Sequence, residues 1–394
     1  MVSLLLLMTL QAPQSGGLSL PDAVGHALRD RPRGAAAGAS VAQALAAERL
    51  AGQPSNPMAS YIYTGDIPHS EAILDQPLDW LATRGSAQNA AAAGVRRSRI
   101  DSVQIVAGIA QEARLAFFAV LAAEQNLSLI SAQAAAADSL AAMADARFQA
   151  GDISRLELDR MRQDALLARL ITSAAAEARQ RAQTDLRRAI AWPVGDSLPP
   201  LAGSLDAGLD SVRTDSGTAG ELPSVAAAAA DSAMAAMLVQ VAKIRRLPVP
   251  SIMGGVQWGY PDVSGSSTVV LGVALPLPIW QQQGANVALA KANAEQAAAQ
   301  AGETRLVAAR DLDTAIDRLR QSSLRARVAR DTLLPAAVSL RARSVAAYQA
   351  GETSVLPVLE AFRAEREIAA ATVRELFGFQ AARAEYLALL GRTE

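Results

Sequence analysis

Hydrophobic and polar positions along this 394-residue chain follow two periods. In the longer stretches, apolar residues recur every three or four positions: Ile100, Val103, Val106, Ile109 and Ala113, then Phe117, Val120, Leu121 and Leu127. This is the spacing of one helix face. Proline is absent from Leu81 to Trp192. The pattern therefore predicts one helix of about 65 residues, ~95–100 Å long at ~1.5 Å per residue. It stops at Gly151, and a return helix runs from Asp152 to Arg188. Other stretches alternate. Met58 to Thr64 puts Tyr61 and Tyr63 on one face and Ile62 on the other, and Ala72 to Trp80 is extended but interrupted at Pro77. With Gly65-Asp66-Ile67-Pro68-His69-Ser70 between them, the two stretches predict a β-hairpin.

The remaining elements repeat this order. Ser19-Leu20-Pro21-Asp22 opens a helix through Arg29, and a second helix runs from about Gly34 to Leu50 before the break at Gly52 to Pro57. A Pro-, Gly-, Ser- and Asp-rich linker covers 193–223. A helix from Ser224 to Leu247 precedes strands at 251–260 and 268–280, with the turn at Pro261 to Ser267 between them. Helix resumes at Gly284, meets its first proline at Pro335, and gives way after Gly351 to a last helix from Ser354 to Leu390. A phrase marks the matching points. Phe148-Gln149-Ala150-Gly151-Asp152-Ile153-Ser154 returns as Tyr348-Gln349-Ala350-Gly351-Glu352-Thr353-Ser354. The spacing is far beyond a solenoid unit and reads as a duplicated half. The chain thus divides into an N-terminal segment (1–17), a first repeat (18–192, strands 58–64 and 72–80, turn at 151), the linker (193–223) and a second repeat (224–394, strands 251–260 and 268–280, turn at 351).

Composition narrows the fold class. Hydrophobic residues make up 51% but aromatics only 4%, and Ala dominates. Small side chains bury little area each, so they suit thin layers of close-packed helices better than a thick core. The reading is mainly α with a small β part, and the unbroken helices point to a coiled coil or helical tube. Net charge is −1 with no basic block, so no nucleic-acid partner is expected. There is no Cys, which excludes disulfides, thiolate metal sites and a lipidated Cys together. The apolar run Val2 to Leu10, followed by small residues, resembles a secretory signal but lacks a basic start. It falls short of the ~20 residues that span a bilayer, and no other segment is expected to cross one as a helix.

No catalytic constellation is present. His26 and His69 lie far apart, one on a predicted helix and one in a loop, and read as surface or packing residues. Neither a nucleophile elbow, a phosphate loop nor an HExxH motif occurs. The chain is read as a non-enzyme with no cofactor and no metal site. The aromatics are better placed. Tyr61, Tyr63, Trp80, Trp258, Tyr260 and Trp280 lie in or beside the four strands. This fits the interfacial girdle of a membrane barrel, although strands also favour aromatics in general.

The ordered motifs resemble the TolC family of outer-membrane efflux proteins. The resemblance rests on Arg147-Phe148-Gln149-Ala150-Gly151, on Ala347-Tyr348-Gln349-Ala350-Gly351-Glu352, and on Leu275-Pro276-Leu277-Pro278-Ile279-Trp280 leading through Gly284 into the next helix. Gln76-Pro77-Leu78-Asp79-Trp80 is its counterpart after the second strand and is similar to the heavy-metal branch. It covers about 20–391. It implies a homotrimer in which each chain gives four strands to one twelve-stranded barrel in outer-membrane lipid, with a periplasmic tube of helices below and an equatorial belt. Closure over several chains agrees with elementary physics, because open sheet edges are not tolerated in lipid.

The implied function is an exit duct of a tripartite efflux or secretion system, working with a periplasmic adaptor and an inner-membrane pump. The alternative is a periplasmic coiled-coil adaptor or interaction protein, which would need only one helical hairpin and lipoyl-like β segments. The resemblance also implies that Ala150, Gly151, Asp152, Ala350, Gly351 and Glu352 form the adaptor-contacting tips, beyond their plain role as helix C-caps. In the family, acidic residues on the last helix ring a periplasmic constriction. The second of these positions falls on Glu360 and the first on Pro357. Glu157 matches the acidic partner that ties the two hairpins, Tyr348 matches its hydrogen-bonding partner, and Thr353 stands where the family has Arg.

Overall fold

The computed structural model describes residues 17–212, 218–258, 267–277 and 283–393. In chain order the elements are β1 (Leu18–Ser19), α1 (Leu20–Asp30), α2 (Pro32–Ala51), β2 (Met58–Tyr63), β3 (Ser70–Pro77), α3 (Asp79–Gln149), α4 (Arg155–Ala189) and β4 (Leu201–Ala202). A short 3-10 turn follows, then α5 (Pro223–Ile244), β5 (Ser251–Trp258), β6 (Ser267–Ala274), α6 (Gly284–Val328), a π-helical turn (Ala329–Leu333), α7 (Leu334–Gln349) and α8 (Val355–Leu389). The chain forms two compact units. One holds 1–34, 105–216 and 311–394, and the other holds 35–104 and 217–310. Each unit thus draws on both predicted repeats.

In the second unit the four longer strands form one antiparallel sheet in the order β2-β3-β5-β6. Strand ends differ from expectation: β2 stops at Tyr63, β3 begins at Ser70 and stops at Pro77, and β6 stops at Ala274, while β5 is described as far as Trp258. Pro77 cannot donate to the ladder and closes β3. Trp80, expected at a strand end, therefore lies in the first turn of α3. Tyr260 and Trp280 lie outside the described residues, as do 1–16 of the signal-like segment and 213–217 of the linker. In the same unit Arg97 donates to Asp231 at 2.8–2.9 Å.

In the first unit the helices around the two Gly turns share a core. Leu140 and Ala144 from α3, Leu158 and Met161 from α4, Tyr348 from α7, and Val358 and Phe362 from α8 are all buried there. The expected linker is in part a packed strap. Leu205 and Leu209 are buried. Gln380 Nε2 donates to the Leu205 and Ala207 carbonyls at 2.9 Å each, and Arg327 donates to the Leu209 carbonyl at 2.7 Å. β1 pairs in parallel with β4, Leu18 facing Leu201. Pro335 does not end the helix. The chain widens instead into a π turn, in which the Leu334 N–H bonds to the Ala329 carbonyl, and the Thr372 hydroxyl also reaches that carbonyl at 3.4 Å.

One expectation is corrected. Two helices, α3 and α5, each hold an 18-residue window of mean hydropathy 1.6, apolar enough to cross a membrane by length and composition. The α3 window is carried by residues such as Ile109, Phe117 and Val120 that are buried within the protein, while the α5 window owes much of its apolar character to Ala, which buries little area each. α5 also carries the ion-paired Asp231 within its length.

Candidate functional site

The sheet has two chemically different faces. Side chains alternate along a strand, and residues directly opposite share a face. The register pairs Tyr61 with Ala72 and Ala72 with Val256, and Val256 with Val269. One face therefore carries Tyr61, Tyr63, Leu74, Ile252, Val256, Trp258, Val269, Leu271 and Val273, all exposed. Tyr61 and Trp258 lie near each other on it, ring centroids 6.1 Å apart. An exposed apolar face of this extent is unusual for a sheet in water and is what a lipid-facing wall requires. The other face carries Ser60, Glu71, Asp75, Gln257 and Thr268 among apolar neighbours. β2 and β6 are the sheet edges, and among the described residues no strand covers either.

The two Gly turns share one backbone geometry. At the first, Asp152 N–H bonds to the Arg147 carbonyl at 2.9 Å and Gly151 N–H to the Phe148 carbonyl at 3.0 Å. At the second, Glu352 N–H bonds to Ala347 at 2.9 Å and Gly351 N–H to Tyr348 at 3.1 Å. This Schellman pattern places glycine in the left-handed region, with φ of 80° at Gly151 and 76° at Gly351. A Cβ would meet nothing within 4 Å at either position. The constraint is therefore conformational, not steric crowding by neighbours. Ala150, Gly151, Asp152, Ala350, Gly351 and Glu352 are all exposed, as a contact surface requires.

The helices leaving the turns begin differently. Ser154 and Glu157 form a capping box on α4: the Ser154 hydroxyl accepts from Glu157 N–H, and the Glu157 carboxylate accepts from Ser154 N–H at 3.1 Å. Ser354 occupies the same place before α8 and makes no side-chain cap bond. Three residues on stands Pro357, which has no N–H to give.

Of the gate candidates, Glu157 is thus engaged locally. Tyr348 is buried, its ring under the Arg147 guanidinium at 4.6 Å, and its Oη has no hydrogen-bond partner. The structure does not join it to Glu157. Thr353 is half-buried, and Glu360 is exposed on α8.

Sequence reasoning missed the charged pairs between helices. Asp164 is 7% exposed on α4, within 3.9–4.0 Å of Arg366 and Arg363 on α8. Buried Glu365 on α8 pairs with Arg341 on α7. The signal was present, because Asp164 falls in the stripe of Leu158, Met161, Ala165 and Ala168, where an acid needs a reason. Arg330, within the π turn, holds Asp210 at 2.8 Å and Asp331 at 2.7 Å. Its hydrogen bonds hold both carboxyls below their usual range. His26 pairs with Asp30 at 3.0 Å and lies edge-on to Trp192. Among the described residues no cluster of three His, Cys, Asp or Glu is arranged to hold a metal.

Comparison with known proteins gives consistent similarities. Residues 198–391 match the model of the outer membrane efflux protein family. The cobalt-zinc-cadmium resistance protein CzcC of Cupriavidus metallidurans is 29% identical over 334 residues, 82% of this chain and 74% of CzcC. Among solved structures, the CusC channel aligns with TM-score 0.79 at 16% identity, covering 95% of this chain and 92% of CusC. The Neisseria gonorrhoeae MtrE outer membrane channel aligns at 0.77 with 18% identity, covering 95% and 89%. The Campylobacter jejuni CmeC outer membrane channel aligns at 0.76 with 18% identity, covering 94% and 85%. These structures share the fold. Over its second half the chain is thus similar to outer membrane efflux proteins, and over most of its length it shares the fold of the solved outer membrane channels.

Proposed function

We propose that three copies of this chain form the exit duct of a tripartite efflux system, with heavy-metal cations as cargo. The observation that carries the reading is the four-stranded sheet. One face is an exposed apolar and aromatic wall, the other mixes the sheet's two carboxylates and Gln257 with apolar residues, and both edges are open. Lipid does not tolerate open edges, so β2 of one chain pairs with β6 of the next, and three chains close a twelve-stranded barrel. The helices form the periplasmic tube, and the two repeats descend from one duplicated half. The relationship to CzcC supports metal cargo.

The exposed turns at Gly151 and Gly351 meet a periplasmic adaptor, which couples the duct to an inner-membrane pump. Energy comes from the pump, so the duct itself needs no catalytic site. Glu360, exposed on α8, rings the periplasmic constriction in threefold copies. Within each chain, Asp164 with Arg363 and Arg366 ties the hairpins, where the family resemblance pointed to Glu157 and Tyr348.

A deletion strain tests this reading. Removing the gene should lower tolerance to cobalt, zinc and cadmium, and a plasmid copy should restore it. The protein should fractionate with outer membranes as a heat-modifiable trimer. Unchanged metal tolerance together with hypersensitivity to drugs would replace the cargo. A soluble monomer would overturn the duct.

A further inference from the structure

We propose that Glu71 and Asp75 set the charge preference of the duct where it crosses the outer membrane. The inference rests on the reading above, in which the face opposite the aromatic wall lines the lumen. The four strands contain two charged residues, both acidic and both on β3. They are four positions apart, so they point to the same face, about 13 Å from one another along the strand. That face is the one opposite the aromatic wall, with Glu71 opposite Gln257 and Asp75 opposite Met253. No strand carries Lys, Arg or His to balance them.

Neither carboxylate meets a cationic side chain on the strands. Gln257 Nε2 donates to Glu71 Oε1 at 3.0 Å. A neutral amide orients the carboxylate without cancelling its charge. Asp75 lies between Met58 on β2 and Met253 on β5. Neither thioether can donate a hydrogen bond or supply positive charge, and Asp75 Oδ1 is buried with no partner in the protein. Three chains would present two levels of three carboxylates each to a lumen walled on its outer side by lipid. Fixed charges of one sign in a low-dielectric wall concentrate counter-ions and repel co-ions. The cargo class favoured is therefore cationic. The preference strengthens as salt falls, because the Debye length is only about 10 Å at 0.1 M.

The test is reversal potential in planar bilayers across a potassium chloride gradient, with purified protein. Wild type should prefer potassium over chloride. The shape-conserving pair Glu71→Gln and Asp75→Asn should lower the permeability ratio by about threefold or more. Because the chain has no Cys, Asp75→Cys offers a second arm in channels already inserted. A negatively charged thiol reagent should restore the preference, and a positively charged one should reduce it further. Channels that conduct normally but keep wild-type selectivity in the double variant would overturn the inference and leave the duct standing, as would a Cys variant blind to the sign of the reagent. Purified wild type that never conducts would overturn the duct reading itself.

Discussion

The two helical hairpins of the first unit turn through the same backbone geometry, yet they are supported differently. Gly151 and Gly351 share φ within 4° and the same pair of Schellman bonds. Beyond the turn, α4 starts on a closed capping box, while α8 starts on Pro357 with its Ser354 hydroxyl uncommitted. Before the turn, α3 is one helix of 71 residues, whereas α6 and α7 are joined through a π turn on which the strap docks by Arg327 and Arg330. π turns often mark functional positions. The second hairpin therefore has the weaker helix start and the interrupted helix.

The largest effects test the core that both hairpins share. Leu158→Ala should cost about 2–5 kcal/mol and Phe362→Ala about 3–5 kcal/mol, by lost burial and the cavity left, read from denaturant midpoints. Both side chains sit in one cluster. If only one substitution destabilises, the shared core is wrong. Next come the turns. Gly151→Val and Gly351→Val should each cost at least ~1–2 kcal/mol, because a β-branched residue resists positive φ. The two costs should be equal in hydrogen exchange around the turns, and both variants should lose efflux. Unequal costs would break the equivalence of the turns.

Smaller effects separate the hairpins. Ser154→Ala should cost about 1 kcal/mol by opening the α4 cap, whereas Ser354→Ala should cost almost nothing. Equal losses of exchange protection in α4 and α8 would contradict the difference. The smallest effect concerns the strap, which acts on the second hairpin alone. Arg330 lowers the carboxyl pKa values of Asp210 and Asp331 in the folded chain. Their contribution is fully present above the unfolded value near about 4. It is lost only as pH falls through the lower folded values. Arg330→Gln should remove that acid-side loss, as read from exchange in α7. A variant that keeps the full acid response would show that the strap is held by its leucines instead.

Much of this was legible in the sequence. Apolar spacing and the absence of proline gave α3, and glycine at the duplicated phrase gave both turns. Alternation placed all four strands. Their ends were less legible, because a tryptophan after Pro77 reads as strand although the ladder has already stopped. The capping box was written as Ser154 and Glu157 three residues apart, but Glu157 also matched the family's tie and was read as that. Leu205 and Leu209 were hidden inside a Pro- and Gly-rich stretch, where composition suggests a free linker. The Asp164 pair was hardest to see, because its arginines lie some 200 positions away on α8, and nothing local announces a partner at that distance.

The central claim is that the open sheet closes only between chains. Cysteine pairs placed across the β2 and β6 edges, in a chain that otherwise has none, test it directly. A scan of such pairs, oxidised in native outer membranes, should include pairs that lock the protein as covalent trimers released by reductant. If every pair yields only monomers while the protein remains folded in the membrane, the edges do not meet, and the account of the duct fails.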